Sequence, residues 1–301
     1  MFELYLQYEY WFAALQLLLA MLGMGATLRF SDFRDVFIQP KAVSLGLFIQ
    51  TFAVPFLGYV FISLISLPIG LAVGVVLIAA IPGGTVSNIF THFAKGNTAL
   101  SIAITTVTTL ACLISTPIIL KLLISEFLPS DFSMPVERIA MDIGLYLLLP
   151  LLVGMLILHF QPKLADRVAV IGVRGSLGVI VLIVVGSLGS GRLDLAAFGF
   201  GNLLVTCSFA IGITLFAWLL SVLFKVDKAS ATAIEMEVAV RSINLALLIN
   251  ASLFPAHSSQ GELGNVVLFT LLVYGGFQLM LGGGLIAWRS RVNGGRLVGA
   301  T

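Results

Sequence analysis

The sequence predicts an all-α polytopic membrane protein with nine transmembrane helices, and three observations lead there. Hydrophobic residues make up 59% of the 301 residues and charged ones only 10%, against roughly 25% charged in a soluble domain. The apolar residues gather in runs of about 20, the length a helix needs to cross the hydrocarbon core. Lys and Arg stand singly between those runs, so the net charge of +2 implies no basic patch and no nucleic-acid partner.

Nine runs bounded by charges, Pro or Gly fall at 9–28, 41–64, 69–94, 98–125, 138–160, 169–189, 197–223, 229–254 and 264–288. The first has acidic Glu3 and Glu9 ahead of it, lacks a basic n-region and carries no small-residue cleavage signal. It reads as a retained helix, not a signal peptide. With the N-terminus outside, the cytoplasmic loops hold Arg29, Arg34, Lys41, Lys95, Lys163, Arg167, Lys225, Lys228, Arg289, Arg291 and Arg296, and the opposite side only Lys121, Arg138 and Arg192. Eleven against three is a positive-inside asymmetry, so the expected location is the plasma (inner) membrane with the C-terminus cytoplasmic.

Minor features take ordinary readings. Cys112 and Cys207 lie in apolar runs without CxxC or Cys/His spacing and read as core filler. His92, His159 and His257 fall near helix ends, where solvated histidines are commonplace. Trp11 and Trp288 fit interfacial aromatic belts, and Gly282-Gly283-Gly284 suits close helix packing better than a phosphate loop.

Two runs are interrupted. The third contains Pro82-Gly83-Gly84-Thr85-Val86-Ser87-Asn88. Pro removes a backbone donor, the glycines relax the φ restriction, and Ser and Asn can cap a new half-helix, so this run is expected to unwind near mid-membrane. The eighth contains Glu235-Met236-Glu237-Val238-Ala239-Val240-Arg241-Ser242-Ile243-Asn244, a polar strip at similar depth with no Gly or Pro to mark a break. Each charge there costs about 2.5 to 3.5 kcal/mol on insertion scales, which suggests a working site. The alternative is a mutually satisfied Glu/Arg pair that locks two helices.

The third and eighth runs traverse the membrane in opposite directions, five helices apart. An inverted repeat produces that order, here about 9–125 and 138–288 within a single transporter domain, 1–301. Secondary transporters place substrate and ion sites where two such broken helices meet. Half-helix N-termini suit an anion, and carboxylate and exposed carbonyl oxygens suit a hard cation such as Na⁺.

The stretch Pro82 to Asn88, continuing through Lys95-Gly96-Asn97-Thr98-Ala99-Leu100-Ser101 to Thr105, resembles the broken-helix signature of the bile acid:sodium symporter family. Met24-Gly25-Ala26-Thr27-Leu28 with Asp32-Phe33, Gln50 ahead of Pro55, and Glu237-Val238 resemble further motifs of that family over nearly the whole chain. The resemblance implies a nine-helix form of a fold whose panel and core domains rock for alternating access, the two broken helices crossing in the core. It also implies symport of Na⁺ with an organic anion. Carried over by position, the first sodium site is Ser87, Asn88, Ser101, Thr105 and Glu237. For either hydroxyl of Ser101 or Thr105, the competing role is a back-bond to the i−4 carbonyl.

Of the second sodium site, Gln50, Glu237 and the carbonyls of Val238 and Val240 match, but Arg241 stands where the family has a Gln ligand. A guanidinium has five donors and no acceptor, so it cannot ligate Na⁺. Arg241 is expected to replace the second ion, its charge compensating Glu237 or Glu235, with Glu237 an i,i+4 partner if the backbone is helical. An alternative makes Arg241 the anchor of a substrate carboxylate.

The resemblance also implies Thr85, Val86, Ser87, Ser242 and Asn244 as cavity residues, with Gln278 the polar substitute near Val273-Tyr274 in the last helix. The preferred substrate is a small carboxylate such as a keto or hydroxy acid. No obligate protein partner, organic cofactor or enzymatic constellation is evident. A proton-coupled or exchange carrier, an arsenite-type exporter and a non-transporting membrane sensor are the alternatives, the exporter weakened because no Cys is expected near either break.

Overall fold

The computed structural model describes residues 2–35, 40–125, 127–128 and 132–294. Twelve helices follow one another: α1 Phe2–Gly25, α2 Phe30–Asp35, α3 Pro40–Leu64, α4 Ile69–Ala80, α5 Thr85–Phe93, α6 Thr98–Ile124, α7 Val136–Phe160, α8 Pro162–Gly189, α9 Leu195–Leu223, α10 Lys228–Ala239, α11 Ile243–Leu253 and α12 Gly261–Gly294. No strand occurs among the described residues. Among the described residues six helices, α3, α6, α7, α8, α9 and α12, are long and apolar enough to cross a membrane.

The element boundaries correct the sequence reading in three places. The first helix begins at Phe2, so Glu3 and Glu9 lie inside it instead of ahead of it. The sixth run extends back to Pro162 and the last spans Gly261–Gly294, because polar residues at helix ends do not break the hydrogen-bond ladder. Arg296 lies outside the described residues.

The two interrupted runs each divide into two short helices. In the third, α4 ends at Ala80, Ile81 turns extended (φ −81°, ψ 153°), and α5 restarts at Thr85. In the eighth, α10 ends at Ala239, Val240 is extended (φ −114°, ψ 95°), and α11 restarts at Ile243. At 12 residues α4 spans about 18 Å, roughly half a bilayer. Gly70 to Ala80, Ser230 to Ala239 and Leu245 to Leu253 are all buried, so these half-helices form the centre of the molecule and the longer helices surround them.

Local chemistry explains other irregularities. Residues Ile49–Ala53 of α3 and Gly144–Leu148 of α7 are π-helical, and Pro55 and Pro150 follow two residues later in each case. A prolyl ring cannot donate to the i−4 carbonyl and clashes with it, and the wider turn relieves both problems. The linker between α8 and α9 carries Gly191 at φ +75°, and α9 is kinked at Gly199, φ +78°, both in the region that favours glycine.

α1, α7 and α8 pack on one another through glycine. A Cβ added to Gly154 would lie 2.6 Å from the Ala26 nitrogen and 2.8 Å from the Gly25 carbonyl carbon. One at Gly172 would lie 2.7 Å from the Leu19 oxygen. Lipid tails are as apolar as Leu, so close van der Waals contact between backbones holds these helices together. Gly154→Ala is expected to force them apart at a cost of about 1 to 3 kcal/mol, read as a lower melting temperature in detergent.

Candidate functional site

The two breaks meet. Gly83 and Arg241 form an antiparallel bridge, with Gly84 N–H donating to Val240 O at 3.1 Å and Ser242 N–H donating to Pro82 O at 3.0 Å. Each unwound segment thus satisfies backbone groups that the other leaves free, as a low-dielectric interior demands.

Side chains take further helix-end carbonyls. The Arg241 guanidinium Nη2 donates to Ala79 O at 3.2 Å and to Ile81 O, Thr116 donates to Ala80 O at 2.8 Å, and Tyr274 to Ala239 O at 3.2 Å. Gln50 Nε2 donates to Glu237 O at 3.3 Å. Gln278 Oε1 accepts the Arg241 N–H at 2.8 Å, which fixes the orientation of its amide.

Beside this crossing, four oxygen-bearing side chains gather around Glu237, which is fully buried. Ser87 and Ser101 hydroxyls lie 2.5 and 2.6 Å from Glu237 Oε1, and Thr105 Oγ1 lies 2.8 Å from both carboxylate oxygens. Asn88 Oδ1 is 2.8 Å from Ser101 Oγ and 3.1 Å from Thr105 Oγ1. The sequence spacing explains the convergence: Ser87 and Thr91 are the buried residues of α5, and Ser101, Thr105 and Thr108 run down one face of α6.

The cluster holds more close oxygen contacts than protons. Ser87 Oγ is 2.5 Å from Gly84 O as well as from Glu237 Oε1, yet its one proton serves one of them. Ser101 and Thr105 face the same shortage, each with one hydroxyl proton against several acceptors. Such a donor set, all oxygen and rich in lone pairs, suits a hard cation.

Other expectations fare differently. Glu237 and Arg241 are not among the ion pairs of the described residues, because the helix ends at Ala239 and the i,i+4 relation is lost. Arg241 turns instead to the negative end of the α4 dipole, and its Nε and Nη1 have no hydrogen-bond partner among the described residues. Glu235 does not serve Arg241 either: it forms a bidentate pair with Arg289 at 2.7 and 2.9 Å. The Arg289 guanidinium in turn lies 4.0 Å from the Trp288 ring centroid. The Val240 carbonyl assigned to the second sodium site accepts from Gly84, and the Glu237 carbonyl from Gln50. Val238 lies buried in the last turn of α10.

Of the expected cavity residues, Val86 is exposed, Thr85 and Asn244 are partly exposed, and Ser87, Ser242 and Gln278 are buried. The N-terminal ends of α5 and α11 carry no side-chain cap. Gly282 packs against the Phe90 ring, while Gly283 and Gly284 face open space. Cys112 is buried core as expected, yet it lines a narrow cleft with Gln50, Ala80, Ile81 and Pro82, so a cysteine does lie near the first break in space. Sequence reasoning missed it because 29 residues of helix and turn intervene between Pro82 and Cys112.

A model of the Sodium Bile acid symporter family matches residues 14–191, more than half of the chain. The sodium-dependent transporter YocS of Bacillus subtilis is 32% identical over 247 residues, 79% of this chain and 72% of that protein. The chloroplastic protein named "Probable sodium/metabolite cotransporter BASS1" of Arabidopsis thaliana is 29% identical over 233 residues, 77% of this chain and 57% of that protein. A second chloroplastic protein, named "Probable sodium/metabolite cotransporter BASS2", of Oryza sativa subsp. japonica is 35% identical over 161 residues, 54% of this chain and 37% of the relative. The matches thus take in between a third and three fifths of the two plant proteins.

At Gly83 the chain has no room for a side chain: a Cβ would strike the Glu237 carboxylate and come within 2.9 Å of Gln50 Nε2. Gly83→Ala is expected to push Glu237 off its hydroxyl partners and to lower the melting temperature in detergent.

Proposed function

The chain belongs to the Sodium Bile acid symporter family, and from that premise we propose that it carries a small organic carboxylate across the membrane together with Na⁺. The observation that carries this reading is the oxygen cluster of Ser87, Asn88, Ser101, Thr105 and Glu237 at the crossing of two broken helices. In the proposed cycle these five residues hold one Na⁺. The carboxylate substrate sits against the N-termini of α5 and α11, which carry no side-chain cap, near Thr85, Val86, Ser87, Ser242, Asn244 and Gln278, where the helix dipoles favour an anion.

The proposal keeps nine membrane passes in two inverted repeats, about 9–125 and 138–288, with the N-terminus outside a plasma membrane. The short α4, α10 and α11, buried from Gly70 to Ala80, Ser230 to Ala239 and Leu245 to Leu253, support it, since half-spans are tolerated only inside a protein. α1, α7 and α8 form the panel, and α3 to α6 with α9 to α12 form the core that rocks against it. The chain acts as a carrier and not as an enzyme.

Arg241 takes the part of a second sodium ion in this reading. Its guanidinium, buried at 2% exposure, lies against carbonyls at the C-terminal end of α4 and puts a permanent charge where an exchangeable ion would otherwise be needed. The site at Gln50, Glu237, Val238 and Val240 is therefore degenerate, and transport of a monoanion with one Na⁺ moves no net charge.

Two measurements test this. Glu237→Gln is expected to remove most of the Na⁺ stimulation of pyruvate or lactate uptake into liposomes; unchanged stimulation in a folded variant rules out the cluster as the sodium site. A membrane potential acts on each translocated charge with about 2.3 kcal/mol per 100 mV. Uptake by the native chain is therefore expected to ignore an inside-negative potential, while Arg241→Gln makes uptake potential-dependent.

A further inference from the structure

The group formed by α1, α7 and α8 meets the rest of the molecule along a seam, and the polar contacts across that seam are concentrated. Among the described residues, the side-chain hydrogen bonds and the ion pair that join this group to the rest lie at one end, where α11 finishes and α12 begins. Glu9 of α1 accepts from the Ala256 N–H at 2.7 Å and pairs with the Arg192 guanidinium. Arg192 Nε donates to Asn265 of α12 at 2.5 Å. Asp142 of α7 accepts from Tyr10 of α1 at 2.7 Å and, across the seam, from Ser252 of α11 at 2.8 Å.

All of these groups except Tyr10, Ala256 and Asn265 are at most 6% exposed: Glu9 6%, Asp142 5%, Arg192 6% and Ser252 4%. Two carboxylates held away from water, each with one partner across the seam, Ala256 for Glu9 and Ser252 for Asp142, are strongly committed to their partners, because a buried charge that loses its partner is left unsolvated. Water entering the seam reverses the balance by solvating them. Contacts of this kind hold firmly when dry and release when wet, which gives two stable positions and little between.

The chain segment that carries Arg192 is built to bend. Gly191 and Gly199, with φ of +75° and +78°, flank it, and a Cβ at either would meet nothing within 4 Å, so packing does not restrain them. Hinges are made of a few residues able to absorb large φ changes.

We propose that Glu9, Arg192 and Asp142, closing on Ala256, Asn265 and Ser252, form a latch that keeps this end of the seam shut, and that opening the transport path at this end requires its release. The latch rests on the alternating-access reading above for its purpose, though not for its existence as a two-state contact. Spin labels at Gln7→Cys and Ser259→Cys, in a Cys207→Ser background, report the seam directly, since Gln7 and Ser259 are exposed on either side of it. Double electron–electron resonance on the reconstituted full chain is expected to show a small fraction at long distance.

Combining Glu9→Gln with Asp142→Asn is expected to raise that fraction about tenfold, the scale set by losing a charge-assisted hydrogen bond. Ser252→Ala, milder because it removes no charge, is expected to move the distribution the same way by a smaller factor and stands in if the double variant does not fold. Distances that respond in this way uphold the latch whether or not uptake proves to be sodium-driven. Unchanged distances in both folded variants overturn it, whatever uptake does.

Discussion

Everything at the centre of this molecule depends on the pairing of two unwound peptide segments. Hydrocarbon supplies no hydrogen-bond partners, so interrupting a helix at bilayer depth strands N–H and C=O groups that each cost several kcal/mol if unmet. Gly84 and Val240, and Ser242 and Pro82, meet that demand for each other. Side chains from α3, α6 and α12 add to this: Gln50, Thr116, Tyr274 and Gln278 all bond to backbone at a helix end. The polar residues of the core are therefore in the first place the conditions for having a break there at all.

Once the break exists, its geometry creates the chemistry. The end of α10 brings Glu237 against the hydroxyl faces of α5 and α6, and the same turn sends Arg241 away toward α4. A carboxylate and a guanidinium four residues apart in sequence thus acquire different surroundings. Glu237 is surrounded by the hydroxyls of Ser87, Ser101 and Thr105 and the Gln50 amide, whereas Arg241 spends its charge on a helix dipole. Gly83 lies between them because no other residue fits beside the carboxylate.

The fold class and the first break were legible in the sequence for plain reasons. Runs of about 20 apolar residues have few structural uses, and Pro82-Gly83-Gly84 inside one of them removes a donor and loosens φ at the same point. The second break bears no such mark. Nothing near Val240 forbids a helix, and it unwinds because its partners are Gly83 and the side chains of α12, far off in the chain. The partner of Glu235 was hidden for the same cause: Arg289 is 54 residues away, while Arg241 is close in sequence and misleading. Local spacing predicts partners only while the helix continues, and functional sites of this kind lie where it stops.

That long-range pairing has a consequence for how the chain is made. Arg241 caps Ile81 from 160 residues downstream, and the first unwound segment finds its backbone partners only on the second. Ribosomes deliver the first broken run to the membrane long before the second exists. Until then that run cannot rest in lipid in its final form. It must wait as a continuous helix, at the lipid surface, or under the protection of an insertion factor, and the native crossing becomes a late and cooperative event in biogenesis. A fragment ending before residue 240 carries the first half of the site and lacks the means to fold it.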